Sequence, residues 1–243
     1  MIVLMTDYGM GGPYTGQLAA VLKRHAPEVD VISLFSDAPA HNPKASAYLL
    51  AAYASGFPKG TVFLCVIDPG VGGQRPAGIL RADQRWFVGP DNGLFELVAR
   101  RAENPVWRPL SPPQTGLSAT FHGRDWFAPV AAQLARNGKP PSGVKTSVWN
   151  GRPEWPDDLA EIIYIDDFGN AMTGIRATWL RRDAVIVAGE RRLAWAATFC
   201  AVSAGKAFWY ENANGLVEIA ANQARASDIL HLDVGTGVEI KDM

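Results

Sequence analysis

Between Thr61 and Asp68 the chain runs through six apolar residues without a break, in the stretch GTVFLCVID. A run this short, apolar at odd and even positions alike, has no face to show to water. It is a strand in the middle of a sheet whose two faces are both covered. The run ends in a carboxylate, and the turn after it is Pro-Gly-Val-Gly-Gly, with Arg75 seven residues beyond the acid.

The rest of the first half fits around that strand. MIVLMTD, VDVISLFS and the pair AGILRA and RWFVGPDN have the character of strands. YTGQLAAVLKRH, NPKASAYLLAAYASGFP, GLFELVARRA and WFAPVAAQLARNG have apolar residues at helical spacing. Asn42 is placed to cap the second helix, Pro43 occupies its first turn, and Gly138 ends the last one. Strands alternating with helices predict an α/β domain with a mostly parallel sheet flanked by helices. From about 138 to 160 the sequence turns rich in Pro, Gly and polar residues, as a linker or boundary does. After it come short strand-like segments: AEIIYIDDFGN, RDAVIVAGE, RLAWAATF, AFWYENANG, GLVEIAAN and GVEI. These predict a smaller C-terminal β-barrel-like domain, so the expected division is 1–150 and 151–243.

Composition excludes several classes. With 23 basic against 24 acidic residues, the net charge of -1 offers no nucleic-acid surface. No apolar run reaches the length needed to span a bilayer, and the N-terminus lacks the basic segment of a signal peptide. Cys65 and Cys200 both lie in apolar surroundings and lack metal-ligand spacing, so two buried free thiols and a cytoplasmic location are expected. Four histidines without paired spacing argue against a metal.

Asp7, Asp68 and Asp91 each end a strand-like run beside glycine. In open α/β sheets ligands bind outside the carboxyl ends of the strands. One such turn is ordinary loop punctuation; three on one edge predict a crevice, with glycine letting a ligand approach the backbone. No phosphate loop, dinucleotide fingerprint or serine-hydrolase elbow occurs. His25 is expected at a helix surface, His231 has no assigned role, and His41 is ambiguous. His122 stands in SATFHGRDWFAP, where Asp125 can cap the following helix. In YIDDFGN, Phe168 and Asn170 offer a ring and an amide for a purine; a plain β-turn with Asn170 left-handed accounts for the residues equally well.

TDYG at 6–9, VIDPGVGGQR at 66–75, GPDNG at 89–93, FHGRDWFAP at 121–129, YIDDFGN at 164–170 and GLVEIAAN at 215–222 occur in an order that resembles the S-adenosyl-L-methionine (SAM) hydroxide adenosyltransferases. These are the hydrolase members of the superfamily that also holds the fluorinase and chlorinase. The resemblance covers nearly the whole chain. It implies attack of water on C5′ of SAM, giving adenosine and methionine, with no metal or organic cofactor. It implies homotrimers, with the site between the N-terminal domain of one subunit and the C-terminal domain of the next. Asp68, Arg75 and His122 match the set that positions and polarises the water. Asp7 matches the acid on the ribose hydroxyls and Asp166 the acid at the methionine amino group. Phe168 and Asn170 match the adenine-side residues, and Ala213 and Asn214 fall in the substrate-binding segment.

Departures are local. Gly174 replaces an amide, Ala213 replaces a serine, and the turn at 9–14 lacks an acid often found there. Two other functions are consistent with such a chain. A halide-dependent relative has no use for His122, and a non-catalytic SAM- or adenosine-binding module has no use for Arg75 and His122.

Overall fold

The computed structural model describes residues 1–241, which divide into two compact units, Met1–Pro153 and the chain from Glu154 onward. The first contains a six-stranded sheet in the order β2-β1-β3-β5-β4-β6, from β1 (Ile2–Thr6), β2 (Val31–Phe35), β3 (Val62–Val66), β4 (Ala77–Ala82), β5 (Arg85–Pro90) and β6 (Val106–Pro109). β1 pairs in parallel with β2 and β3, and β3 with β5; β4 runs antiparallel to both its neighbours. The expected buried strand is β3, which is inaccessible along its whole length. Ile2, Leu4, Val62, Leu64 and Val66 pack with Leu18, Leu22, Ala131 and Leu134. Those last four come from α1 (Tyr14–His25) and α4 (Ala128–Asn137). The intervening Val3, Met5, Phe63 and Cys65 are equally buried and point to the opposite face, since side chains alternate along a strand. There Phe63 stacks on Phe87, and Phe87 meets Phe95 at the start of α3 (Glu96–Arg101). α2 (Pro43–Ala54) packs against α3.

The local signals behave as expected. The Asn42 side chain accepts a hydrogen bond from the Ala45 N–H at 3.0 Å, with Pro43 in the first turn. Gly138 closes α4 in the left-handed region. β4 and β5 form a hairpin through Asp83 and Gln84, both at positive φ as the tightest hairpin turns require. Part of the Pro- and Gly-rich stretch is firmly held: Trp149 donates to Asp91, the Arg152 N–H donates to Glu96, and Ser147 bridges to Trp107.

The second unit is a seven-stranded closed arrangement. β7 (Leu159–Ile165), β8 (Ala171–Arg176), β12 (Leu216–Ala221) and β11 (Ala207–Glu211) form one antiparallel sheet. β10 (Arg191–Leu193), β9 (Val185–Ala188) and β13 (Val238–Lys241) form another. Bridges close the circuit at both seams, Glu161 with Gly237 and Trp195 with Trp209. Inside lie Ile162, Ile175, Ile186, Val217 and Ile219 around Trp209, whose indole N–H donates to the Ala184 carbonyl. α5 (Ala226–Leu230), which no periodicity predicts, packs on β12. No helix among the described residues is long and apolar enough to cross a membrane.

One cysteine departs from expectation. Cys65 is buried in β3, but Cys200 is exposed, because its apolar neighbours form a single turn, Phe199–Ala201, on the surface.

Asn42→Ala removes the α2 cap and is expected to lower stability by about 1 kcal/mol, read as a shift of the urea unfolding midpoint.

Candidate active site

β1 lies between β2 and β3: the connection from β1 runs to β2 on one side, and the connection from β2 crosses back to β3 on the other. At such a switch point the loops after the strands diverge and open a crevice. The crevice here has a volume of about 370 Å³ and is lined by residues including Asp7, Tyr8, Tyr14, Asp68, Phe121 and His122. Asp91, the third acid of the predicted edge, is not among them. Its carboxylate accepts the Trp149 indole N–H at 3.0 Å, which makes it an anchor for the chain before the second unit.

Asp68 follows β3, and the glycine turn folds Arg75 back onto it. Arg75 Nε donates to Asp68 Oδ1 at 2.8 Å, and a second guanidinium nitrogen donates to Oδ2, a fork-to-fork pair. Both side chains are nearly enclosed, 12% and 5% exposed. The same guanidinium lies 3.0 Å from His122 Nδ1. Arginine has no acceptor, so Nδ1 must accept and His122 is the neutral tautomer with its proton on Nε2. Burial, and then the Arg75 charge, hold the His122 pKa below its ordinary 6.5, against the pull of Asp68 and Asp125. The Arg75 guanidinium also sits over the rings of Trp126 and Phe127, at 5.7 and 5.2 Å.

The glycines of this turn serve the protein itself. A Cβ on Gly72, at φ +80, would meet the Ala119 carbonyl at 2.5 Å, and one on Gly70 would meet Arg75 at 3.2 Å. The room expected for a ligand is taken by the returning arginine and the neighbouring loop.

His122 opens a π-helical turn, Gly123–Phe127, that leads into α4. Such turns are uncommon and recur at functional sites. Asp125 does not cap this helix, contrary to expectation. It lies inside the turn, where it accepts the Ser118 N–H at 3.0 Å and both arms of Arg124; Arg124 in turn reaches Gln17 in α1. The pair with Arg124 holds the Asp125 carboxyl below the usual carboxylate range. A Cβ on Gly123 would fall 2.3 Å from the Tyr8 hydroxyl, so glycine is what allows Tyr8 into the crevice. Tyr8, Tyr14 and Phe121 meet edge to face at 5.6 to 5.9 Å and form an aromatic wall. Residue spacing did not single out this wall, although Tyr8 lies within TDYG. Asp7 is held by the N–H of His41 at 3.0 Å, and His41 adopts φ +55 to deliver it. His25 and His231 are exposed.

The other predicted residues lie in the second unit. A cleft of about 750 Å³ there is lined by Asp166, Phe168, Asn170, Phe199, Tyr210, Glu218 and Arg225, among others. Asp166 accepts from the Asn170 backbone at 2.8 Å and from its amide at 3.0 Å. The left-handed position of the turn belongs to Gly169, at φ +80, and not to Asn170; a Cβ at 169 would also meet Arg225 at 2.5 Å. Asn170 is buried, whereas Phe168 is 78% exposed, a ring with an open face. Ala213 and Asn214 sit on an exposed turn and do not line this cleft. Glu218 was missed. Its sequence signal is a single acid within the otherwise apolar run LVEIAA.

Comparison with known proteins agrees with this division. The model of the SAM hydroxide adenosyltransferase N-terminal domain matches residues 2–144, and that of the C-terminal domain matches residues 160–239. The chain is 37% identical to an (R)-S-adenosyl-L-methionine hydrolase of Thermus thermophilus, over 98% of each chain. It is 33% identical to one of Salinispora arenicola, over 98% of this chain and 97% of the relative. A crystal structure of an uncharacterized conserved protein from Thermotoga maritima superposes with a TM-score of 0.90 at 29% identity. It covers 99% of this chain and all of that one.

Titration of the His122 ring by NMR is expected to give a midpoint below 6.5, rising in Arg75→Met; a wild-type midpoint above 6.5 contradicts the assigned tautomer and its cause.

Proposed function

We propose, since this chain belongs to the SAM hydroxide adenosyltransferase family, that it hydrolyses SAM to adenosine and L-methionine. The observation that carries this reading is the Asp68–Arg75–His122 chain, whose two ends line the first crevice together with Asp7.

SAM brings its own leaving group, a sulfonium, so the enzyme's task is to place and activate water. Water attacks C5′, the C5′–S bond breaks, and its electron pair leaves on sulfur as the neutral thioether of methionine. The water loses one proton. Asp68 is the acceptor for it, since each oxygen already bonded to Arg75 keeps a further lone pair. Neutral His122 orients the water by donating from Nε2, and the Arg75 charge stabilises the developing hydroxide. Holding water and C5′ in line can supply roughly 7 to 11 kcal/mol of the barrier. The chemistry calls for no organic cofactor or metal. Asp7, steadied by His41, suits a ribose diol, which two hydroxyls present to one carboxylate. Protonation of His122 would turn Nδ1 from acceptor to donor against Arg75, so turnover is lost as pH falls through its lowered pKa.

Asp166, Phe168 and Asn170 suit the amino group and the adenine of the same substrate, and they belong to the second unit. We place the complete site between subunits of a homotrimer in the cytoplasm, with exposed Ala213 and Asn214 available to it.

In water enriched in ¹⁸O, adenosine is expected to carry the label at its 5′ oxygen, with a rate independent of chloride. Asp68→Ala and Arg75→Ala are each expected to cost about 100-fold or more in kcat. Unlabelled adenosine, or a chlorinated nucleoside, contradicts hydrolysis at C5′. Mixing inactive Asp68→Ala with inactive Asp166→Ala protein, after subunit exchange, is expected to restore part of the activity. No recovery contradicts a site shared between subunits.

A further inference from the structure

Glu218 lies on β12, is 2% exposed, and still lines the second cleft beside Asp166 and Asn170. No step of the proposed reaction uses it. One of its oxygens accepts from the Tyr210 hydroxyl, and the other accepts from the Asn212 amide at 2.8 Å. The Asn212 amide cannot turn over, because its Oδ1 already accepts the N–H groups of Asn214 at 2.9 Å and Leu216 at 3.0 Å. Asn212 is therefore a committed donor and Glu218 must accept from it; the Tyr210 hydroxyl, which can give or take a hydrogen, donates to the other oxygen because a carboxylate can only accept. Burial raises the carboxyl pKa and Asp166 adds to that, while the bonds from Tyr210 and Asn212 oppose it.

What the two donors support matters for the cleft. Tyr210 packs on Phe199 at 5.6 Å, and both rings line the cleft. Asn212 shapes the turn that carries Ala213 and Asn214. We infer that Glu218 is a positioning residue for substrate: through Tyr210 it sets the aromatic wall of the second cleft, and through Asn212 it sets the adjoining turn. The inference rests on the reading of that cleft as part of the SAM site.

A polarity swap tests it. Asn212→Asp keeps the shape but sets a second carboxylate oxygen against the acceptor Glu218. It is expected to raise KM for SAM about tenfold while kcat stays within about threefold. Adding Glu218→Gln turns an N–H toward that carboxylate, keeps an oxygen for the Tyr210 hydroxyl, and restores the bond with reversed polarity. The double variant is expected to return KM to within about threefold of wild type. A merely structural role would lower the active fraction, and so kcat, with KM unmoved. If Asn212→Asp does not fold, Tyr210→Phe removes one donor, keeps the ring, and is read the same way. An unchanged KM in a wild-type background that hydrolyses SAM overturns this inference alone, as does a double variant no better than the single. Wild-type protein that neither hydrolyses SAM nor binds adenosine by calorimetry overturns both this inference and the hydrolase reading.

Discussion

The enclosed pair between Asp68 and Arg75 is the interaction around which the first unit's site is organised. Taking two charges out of water costs several kcal/mol for each ion, and only good geometry with further hydrogen bonds offsets it. Here the geometry is bidentate, His122 accepts from the same guanidinium, and the rings of Trp126 and Phe127 receive its face. Each of these conditions constrains the backbone. The carboxylate must stand at the end of a buried strand. The turn must carry glycine so that Arg75 can fold back. The π-helical turn must bring His122 and both rings to one side.

The same pair decides how the histidine works. Because the guanidinium can only donate, His122 has to accept through Nδ1, and its remaining N–H is a donor. In the proposed reaction Asp68 is left as the proton acceptor. An arrangement that first looks like three interchangeable polar groups therefore has directed roles, set by which atoms can give and which can take a hydrogen.

The second unit uses the same logic with another acid. Glu218 is an acceptor between two donors, as Asp68 is an acceptor for a fork of donors, and in both cases a buried carboxylate organises its neighbours. The difference is what is organised: an arginine and a histidine in the first unit, and an aromatic wall and a turn in the second.

Much of this was legible in the chain. The unbroken apolar run of β3 required a sheet covered on both faces, because nothing else buries both sides of a short strand. Asn42-Pro43 and Gly138 marked helix ends, because capping and left-handed backbone are local matters decided within a few residues. Motif order named the family and the candidate residues. Tertiary structure decided what depends on distant groups meeting. Asp91 was withdrawn from the crevice by Trp149, 58 residues away. Asp125 was drawn from a cap to the Ser118 loop, and the left-handed position fell to Gly169, where Arg225 leaves no room for a Cβ, rather than to Asn170. The proton on His122 was assigned only once Arg75 was seen beside it, and Glu218 became visible only with its two donors in place. Residue types and their order are local properties of a chain; which atom donates to which is a property of the folded contacts alone.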